Sequence, residues 1–371
     1  MFFTPRAIEF PPALEELLRA DSTRIRPLGE AVAELWPTLS RKRGLSDGGG
    51  HYSFRPVHAE AYAAYYLPAN AMKFALVLEE MRRTGLPLPA DLRIADFGAG
   101  PGTTLWGAAL CGLPIRYRAQ EQSPEFAALG RRLASRLASI ADVDAQWGHG
   151  DPVKFARGGD FNFLVFQNSV HEIFPRPEER LDAILRLTRE AAKRGGTRWL
   201  VLIEPALRAS SRDLLDLRKG LLAARHLRLW LPCLSHRECG ALRSHDDWCH
   251  EEVAVNMPEW LNAIGAEAGL RKESVLFSYL VFSVGEHPEP ERWPGDGWRM
   301  VSQRLERKGY TECHLCSPEG KIRCRVQHSK VTEENRGALE WSRGQILESL
   351  ELAPSSDVVR FHCATVNFRH L

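Results

Sequence analysis

The sequence predicts an α/β fold in which a helical region precedes a parallel sheet and a small β-rich domain follows it. Three observations support this prediction. Residues 13–83 carry apolar side chains at three- and four-residue spacing, residues 92–203 alternate short apolar runs with helical stretches, and residues 298–371 alternate over short runs. The predicted units are a helical region at 1–90, a sheet core at 91–285 and a β-rich domain at 298–371.

The composition is that of an ordinary folded protein. The 371 residues are 44% hydrophobic and 26% charged, which excludes a mainly disordered chain, and the net charge of +2 neither requires nor excludes a nucleic-acid partner. The longest apolar run, 275–284, is too short to cross a bilayer, and acidic residues near the start argue against a transit peptide. We therefore expect a cytoplasmic protein of bacterial origin with no membrane partner.

The N-terminal helices follow from the apolar periodicity. Pro68 separates the last two of them, and the glycine run at 48–50 marks a loop between the second and the third. The four predicted helices span residues 13–20, 25–39, 59–66 and 71–83.

The sheet is predicted from short apolar runs that are separated by helices. Strands connected in this way form βαβ units, so the sheet should be parallel and covered on both faces. Strands are predicted at 93–97, 115–120, 145–147, 161–167 and 199–203, and helices at 124–138 and 177–193. A helix at 258–268 and strands at 271–275 and 277–284 complete the core, which leaves 206–252 as a Cys-rich insertion, 286–297 as a linker and 311–315, 321–327 and 358–368 as strands of the β-rich domain.

A glycine-rich turn follows the first strand of the sheet. Gly98, Gly100 and Gly102 are spaced G-x-G-x-G, and Asp96 lies two residues before the first of them. Glycines at a strand-to-helix turn let the backbone approach a ligand, but a dinucleotide site would be spaced G-x-G-x-x-G. The pattern resembles motif I of class I S-adenosylmethionine methyltransferases. The alternative is a glycine turn with surface acids.

The resemblance to motif I implies how a cofactor would be held. The glycine loop would pack against the methionine part of S-adenosylmethionine, and Asp96 would reach its amino group. Glu121, at the end of the next strand, would accept the ribose hydroxyls, and Asp151, after the third strand, would meet the adenine amino group.

The end of the fourth strand is the predicted catalytic position. Its sequence, Q-N-S-V-H-E from Gln167 to Glu172, is not the Asn/Asp-Pro-Pro-Tyr/Phe motif that holds a target amine. Asn168 is able to hydrogen-bond a substrate amine, and His171 is able to act as a base because its ordinary pKa is about 6.5. The alternative is that His171 and Glu172 cap and orient the following helix.

Three cysteines cluster in the insertion. Cys233, Cys239 and Cys249 are spaced C-x5-C-x9-C, which is looser than the C-x2-C pairs of most zinc sites. An iron–sulfur cluster needs four thiolates, and Cys316 is our choice for the fourth, although spacing alone does not exclude Cys313. Zinc on the same thiolates, together with His236 or His250, and unrelated buried cysteines are the alternatives.

Several motifs together resemble the methyltransferase-like protein 17 family. They are P-C-x5-C from Pro232, D-W-C-H from Asp247, F-S-Y-L from Phe277, L-C-x3-G around Cys316 and Y-Y-L-P-A from Tyr65. The resemblance runs from about residue 52 to the C-terminal domain. It implies a class I S-adenosylmethionine methyltransferase (Rossmann-like) core and a [4Fe-4S] cluster on Cys233, Cys239, Cys249 and Cys316. It also implies binding to small-subunit ribosomal RNA during ribosome assembly, with catalysis dispensable or absent.

Three groups of basic residues are the predicted RNA contacts, since phosphate contacts dominate affinity for nucleic acids. The alternative is a solvated helix face. The first group lies between residues 208 and 243, where eight Lys or Arg accompany three acids. The second is Arg131, Arg132 and Arg136, and the third is Lys321, Arg323, Arg325 and Lys330.

The sequence thus predicts an S-adenosylmethionine-binding, iron–sulfur protein that acts on the small ribosomal subunit, as an assembly factor and/or an rRNA methyltransferase. No DNA partner is expected. One alternative is a methyltransferase of a small molecule or protein with a structural zinc site. Another is a non-catalytic scaffold that binds the ribosome.

Overall fold

The N-terminal region is helical in the computed structural model, which describes residues 8–40, 55–290, 297–317, 320–333, 336–347, 352–355 and 358–361. After a short strand, β1 (Ile8–Glu9), come helices α1 (Pro12–Leu18), α2 (Ile25–Ser40), α3 (Pro56–Ala61) and α4 (Leu67–Arg83). A π-helical turn at Tyr62–Tyr66 joins α3 to α4. Pro68 does not interrupt the helix, because it lies in the first turn of α4, where no backbone N–H is needed.

The central sheet contains five parallel strands: β2 (Leu92–Phe97), β3 (Ile115–Gln120), β4 (Val143–Gly148), β5 (Phe163–Gln167) and β6 (Thr197–Pro205). The helices that connect them are α5 (Thr103–Ala109), α6 (Pro124–Leu137), α7 (Pro152–Arg157), α8 (Val170–Ile173) and α9 (Pro177–Ala192). Helix α10 (Arg208–Leu222) follows β6.

Three antiparallel strands extend the sheet beyond β6. They are β7 (Leu227–Leu231), β8 (Glu251–Asn256) and β9 (Ser274–Gly285), and helix α11 (Glu259–Glu267) lies between the last two. Strand β9 pairs with β6, β7 and β8, and β1 pairs with β8. The order β4-β3-β2-β5-β6-β9 is that of a doubly wound sheet, so the predicted α/β class with a class I methyltransferase-like core is confirmed.

The structure differs from the prediction in the insertion, where Leu227–Leu231 forms strand β7 and the last two residues belong to β8. The run L-R-L-W-L at Leu227–Leu231 alternates buried leucines with other side chains, which is the period of a strand. Strand β9 is a single element of 12 residues, and the segment predicted as a separate strand at 271–275 contributes only its last two residues to it.

The β-rich C-terminal domain is a second sheet. Its strands are β10 (Trp298–Met300), β11 (Leu305–Arg307), β12 (Tyr310–Ser317), β13 (Gly320–Gln327), β14 (Ile346–Leu347), β15 (Leu352–Ser355) and β16 (Val358–Phe361), in the order β14-β10-β12-β13-β16-β15 with β11 on β12. The end of the strand predicted at 358–368 lies outside the described residues. The apolar core of this second sheet includes Met300, Leu315 and Trp341.

Two apolar clusters cover the two faces of the central sheet. Phe74 and Trp106 lie in the cluster on the side of the N-terminal helices, and Phe166 and Phe282 lie in the cluster on the side of α9 and α10. A buried ion pair also joins the two domains. Arg299 of β10 lies 2.5 Å from Glu80 of α4. Among the described helices, none combines the length and the apolar character that crossing a membrane requires.

Candidate functional site

The glycine-rich turn connects β2 to α5 at the carboxyl edge of the sheet. Gly98, Gly100 and Gly102 all have left-handed backbone angles, with φ of +68°, +55° and +90°. A Cβ at Gly98 would lie 2.6 Å from Ser169 Cβ, whereas a Cβ at Gly100 would meet no described atom within 4 Å. The turn is therefore packed against the end of β5 at Gly98 and open at Gly100, where a ligand has room.

Asp96, at the end of β2, presents one hydrogen-bonded and one unpartnered carboxyl oxygen. Tyr117 donates its hydroxyl proton to Asp96 Oδ2 over 2.5 Å, while Oδ1 accepts no hydrogen bond from the described part of the chain. Burial raises the pKa of Asp96 to about 7, against the lowering effect of the hydroxyls of Tyr117 and Thr104. The Thr104 hydroxyl donates to Gln167 Oε1 over 3.1 Å. Asp96 Oδ1 is thus a buried acceptor that fits a cationic donor.

Glu121 lies beside the open part of the glycine turn. One of its carboxyl oxygens accepts the Gly100 N–H and the other accepts the Ser123 N–H, each over 2.7 Å. Burial raises the pKa of Glu121. Because a carboxylate has about four acceptor positions, these two bonds orient Glu121 and leave capacity for ligand hydroxyls.

Asp151 has a local structural role at the start of α7. Its side chain accepts the Lys154 N–H over 2.9 Å and so caps α7. Gln120 and Trp147, which no sequence motif indicates, connect this region to the glycine turn. Gln120 accepts the Gly98 N–H and donates to the Gly150 carbonyl, and Trp147 donates its indole N–H to the Gly100 carbonyl over 3.2 Å.

Asn168 is held in a strained conformation at the end of β5. Its φ of +57° is left-handed, its backbone N–H donates to Ile203 over 2.7 Å, and its Oδ1 is buried without a hydrogen-bond donor among the described residues. Ser169 donates its hydroxyl proton to the Phe97 carbonyl over 2.5 Å, which brings this turn against the glycine loop. Strain and an unpartnered acceptor in one residue are typical of functional positions.

His171 lies between two carboxylates that the sequence analysis missed. Nδ1 is 3.2 Å from Glu204 of β6, which is buried, and Nε2 is 3.4 Å from Asp213 of α10. Burial lowers the pKa of His171, but the charges of the two carboxylates outweigh that effect and raise it to about 9. A histidine that is protonated at neutral pH orients neighbouring groups and is a poor general base.

The four cysteines predicted as cluster ligands lie near one another. Cys233 follows β7, Cys239 begins a 3₁₀ turn, Cys249 precedes β8 and Cys316 is in β12. Burial raises the pKa of Cys249 well above its ordinary value, and the other three thiols raise it further. Burial, followed by Cys233 and Cys239, raises the pKa of Cys316 to about 12. Within the described ranges, however, no three His, Cys, Asp or Glu side chains are arranged so that they could hold a metal ion.

Cys313 is directed away from this group. It pairs in register with Cys324 of β13, and both are buried in the core of the C-terminal sheet. Side chains alternate between the faces of a strand, so Cys316, three residues away, is on the opposite face. Of the two alternative zinc ligands, His236 contacts the Leu229 carbonyl at 2.8 Å and His250 stacks on Trp248.

Much of the first basic group supports the segment 233–249, which we call the cysteine loop. Arg218 is buried and donates to the carbonyls of Ser235 and Arg237, over 2.5 and 2.9 Å. Arg212 donates to the carbonyls of Ser244 and Asp247, over 2.7 Å each. Charge clustering in the sequence did not reveal that these guanidinium groups face backbone carbonyls.

Other members of the basic groups also have partners within the chain. Lys321 forms an ion pair of 2.5 Å with Asp247 of the cysteine loop. Arg325 forms an ion pair of 2.9 Å with Glu312 and stacks on Tyr310, and Arg131 donates to the Trp147 carbonyl over 3.4 Å.

The chain matches one protein family over most of its length. The model of the family described as mitochondrial small ribosomal subunit Rsm22 matches residues 56–344. A comparison with the curated proteins gives no match.

Several solved methyltransferase structures are similar to this chain at low identity. Magnesium protoporphyrin IX methyltransferase from Synechocystis PCC 6803, with bound SAM, is 12% identical over 69% of this chain and 97% of its own, with a TM-score of 0.35. Precorrin-6y C5,15-methyltransferase from Geobacter metallireducens GS-15 is 14% identical over 57% and 86%, with a TM-score of 0.34. Ribosomal protein L11 methylase from Lactobacillus delbrueckii subsp. bulgaricus is 14% identical over 58% and 79%, with a TM-score of 0.32.

Proposed function

Since the chain belongs to the family described as mitochondrial small ribosomal subunit Rsm22, we propose that it binds S-adenosylmethionine and acts on the small ribosomal subunit, as an assembly factor and/or as an rRNA methyltransferase. This match confirms the methyltransferase-like protein 17 family that the combined motifs predict. The observation that carries the cofactor proposal is the unpartnered Oδ1 of Asp96 beside an open glycine turn. A bacterial cytoplasmic location remains part of the proposal.

Asp96 and Glu121 would hold the two ends of S-adenosylmethionine. Asp96 Oδ1 is a buried acceptor for an ammonium group, and Glu121 has acceptor capacity for ribose hydroxyls close to Gly100. Gly98, Gly100 and Gly102 would line the methionine part, and Asp151 would meet adenine next to the loop that Gln120 fixes. When bound, S-adenosylmethionine supplies a methyl group on a sulfonium centre.

Asn168 is the group that we propose faces a methyl acceptor. Its buried Oδ1 accepts no hydrogen bond from the described residues. It is therefore suited to accept one from the N–H of an amine that receives the methyl group. His171 would hold the carboxyl edge of the sheet in place through its ion pairs with Glu204 and Asp213. Its role in catalysis would therefore be to orient neighbouring groups rather than to remove a proton. Alignment of acceptor and methyl group would supply most of the rate.

We propose a [4Fe-4S] cluster on Cys233, Cys239, Cys249 and Cys316. The support is the electrostatic interaction among the four thiols. Burial and the neighbouring Cys233 raise the pKa of the Cys239 thiol, and the charges of Arg218 and Lys321 act against that increase. The bound metal would fix the C-terminal domain to the core, since Cys316 is in β12.

The cofactor proposal is tested by calorimetry with S-adenosylmethionine. We expect micromolar binding by the wild-type chain and loss of binding in Asp96→Asn, because the neutral amide cannot balance an ammonium charge. Thermal unfolding of both proteins checks that the substitution leaves the fold intact. Absence of binding to a folded wild-type protein would favour the alternative of a scaffold that only contacts the ribosome.

The cluster proposal is tested by anaerobic purification followed by absorbance and metal analysis. We expect a brown protein with about four irons per chain. Cys316→Ser should lower the iron content strongly, whereas the matched variant Cys313→Ser should retain it, because Cys313 faces the C-terminal core. A colourless protein with stoichiometric zinc would support the alternative methyltransferase with a structural zinc site.

The proposed rRNA contact is tested by the salt dependence of binding. Affinity for small-subunit rRNA should fall steeply between about 50 and 200 mM salt if phosphates are contacted. Failure to bind this RNA at low salt would remove the ribosomal part of the proposal and leave the cofactor part standing.

A further inference from the structure

Tyr117 connects the acid of β2 to the glycine turn. It is fully buried in β3, in register with Ile94 of β2, and its hydroxyl is 2.5 Å from Asp96 Oδ2. Its ring packs on Trp147 with centroids 5.6 Å apart, and the Trp147 indole N–H donates to the Gly100 carbonyl. A continuous series of contacts therefore runs from the carboxylate to the middle of the turn.

This arrangement gives the two carboxyl oxygens of Asp96 different hydrogen-bonding surroundings. The Tyr117 hydroxyl occupies Oδ2, and no described residue donates to Oδ1 although it is buried. The Tyr117 hydroxyl restricts how the Asp96 carboxylate rotates, because it donates to Oδ2. The Thr104 hydroxyl, which also lowers the pKa of Asp96, donates to Gln167 Oε1 over 3.1 Å.

We propose that Tyr117 is a positioning residue for cofactor binding, which favours the ionised form of Asp96 and leaves Oδ1 to accept the α-ammonium group of S-adenosylmethionine. This inference rests on the proposed function, because it assigns a role within the same pocket.

The proposal has a consequence for pH. Burial raises the pKa of Asp96 to about 7, the hydroxyls of Tyr117 and then Thr104 lower it, and the charge of Glu121 raises it. Affinity for the ammonium group should therefore increase as pH rises through about 7 and Asp96 ionises. Without the Tyr117 hydroxyl the pKa of Asp96 is higher, so the same increase should occur at higher pH.

The experiment compares the wild type with Tyr117→Phe by calorimetry with S-adenosylmethionine from pH 6 to 8.5. The amino group of the ligand also titrates, near pH 8, so the ratio of the two dissociation constants at each pH is the diagnostic quantity. For a pKa difference of about one unit, Tyr117→Phe should bind about tenfold more weakly at pH 6 and nearly as well as the wild type at pH 8.5. A ratio that is constant over pH would overturn the proposal.

Two controls separate positioning from loss of structure. Tyr65→Phe removes another buried hydroxyl, outside the pocket, and should give a ratio near one at every pH. Methylthioadenosine lacks the amino group, so it should bind Tyr117→Phe and the wild type alike. Weaker binding of methylthioadenosine by Tyr117→Phe would show a damaged pocket and would also count against the proposal.

The outcomes distinguish this inference from the proposed function. A wild type that binds S-adenosylmethionine at no pH contradicts the proposed function, and this inference with it. A wild type that binds while Tyr117→Phe binds equally well at all pH values overturns only the role of Tyr117.

Discussion

At the scale of single residues, Gly98 and Gly100 look alike in sequence and differ in their surroundings. Both have left-handed φ, but only Gly98 is packed against Ser169. Gly98→Ala should therefore lower the free energy of unfolding by about 2–4 kcal/mol, through backbone strain together with overpacking. Gly100→Ala, the matched variant, should cost only the strain, about 1–2 kcal/mol. Urea unfolding measures both, and equal losses would contradict the packing argument.

The raised pKa of His171 predicts that its contribution to stability depends on pH. Its pKa is raised by Glu204 and Asp213 despite its burial, so its stabilising effect is complete below the unfolded pKa of about 6.5 and is lost as pH rises towards 9. The difference in unfolding free energy between the wild type and His171→Gln should therefore be largest near pH 6 and small above pH 9. Urea unfolding at several pH values measures it. A difference that does not change with pH would show that His171 is neutral in the folded protein.

The residues that could be predicted from the sequence are those whose signal is local. Asp96 and its glycines follow one another in the chain, and the spacing of Cys233 and Cys239 is visible directly. Glu204 and Asp213, in contrast, meet His171 only because β6 and α10 lie beside β5 in the folded sheet. Nothing in the sequence near residue 171 indicates these partners, so the protonation state of the histidine could not be inferred.

At the scale of elements, α10 connects the two predicted sites. Ser211 hydrogen-bonds Ser278, which donates to the Cys249 carbonyl, and Arg212 donates to carbonyls of the cysteine loop. The next residue, Asp213, contacts His171 at the carboxyl edge of the sheet. Three successive positions of one helix thus support both regions.

The same helix shows how cations that are neighbours in the sequence separate into different surroundings. The sequence predicts an RNA contact here because eight cations lie close together in the chain. A helix distributes neighbouring residues around its axis, so some of them face protein and others face solvent. Arg218 is buried for this reason, while Lys219 beside it is exposed and pairs with Glu238 at 3.1 Å.

Arg218 and Lys219 therefore give a matched pair of variants. Arg218→Ala removes the donor to the buried Ser235 carbonyl and to the partly buried Arg237 carbonyl, and should lower the unfolding free energy by about 2–4 kcal/mol. It should also reduce the metal content, because these carbonyls belong to the loop between Cys233 and Cys239. Lys219→Ala removes an exposed ion pair and should change stability by about 0.5 kcal/mol or less. Unfolding curves and metal analysis test both, and equal effects would contradict this role of Arg218.

At the scale of the whole molecule, the two sheets are joined by charged side chains rather than by one continuous apolar core. Arg299 and Glu80 form a buried ion pair, and Lys321 pairs with Asp247 of the cysteine loop. The domain order was predictable from the change in apolar periodicity along the chain. The ion pairs between the sheets were not predictable, because nothing in the sequence indicates that residues 80 and 299 lie close together.

The proposed cluster would add a metal connection at the same junction. Three of its ligands belong to the core and the fourth, Cys316, to β12 of the C-terminal sheet. Metal removal should therefore increase hydrogen exchange in the cysteine loop and in β10, β12 and β13, and leave β2, β3 and β5 protected, because metal binding is coupled to local folding. Hydrogen exchange with mass spectrometry, before and after chelation, measures this difference. Cys313→Ser, which should keep its metal, is the control and should exchange like the wild type in the cysteine loop. Uniform exchange throughout the chain after chelation would mean that the metal supports the whole fold, and unchanged exchange would mean that it does not join the two sheets.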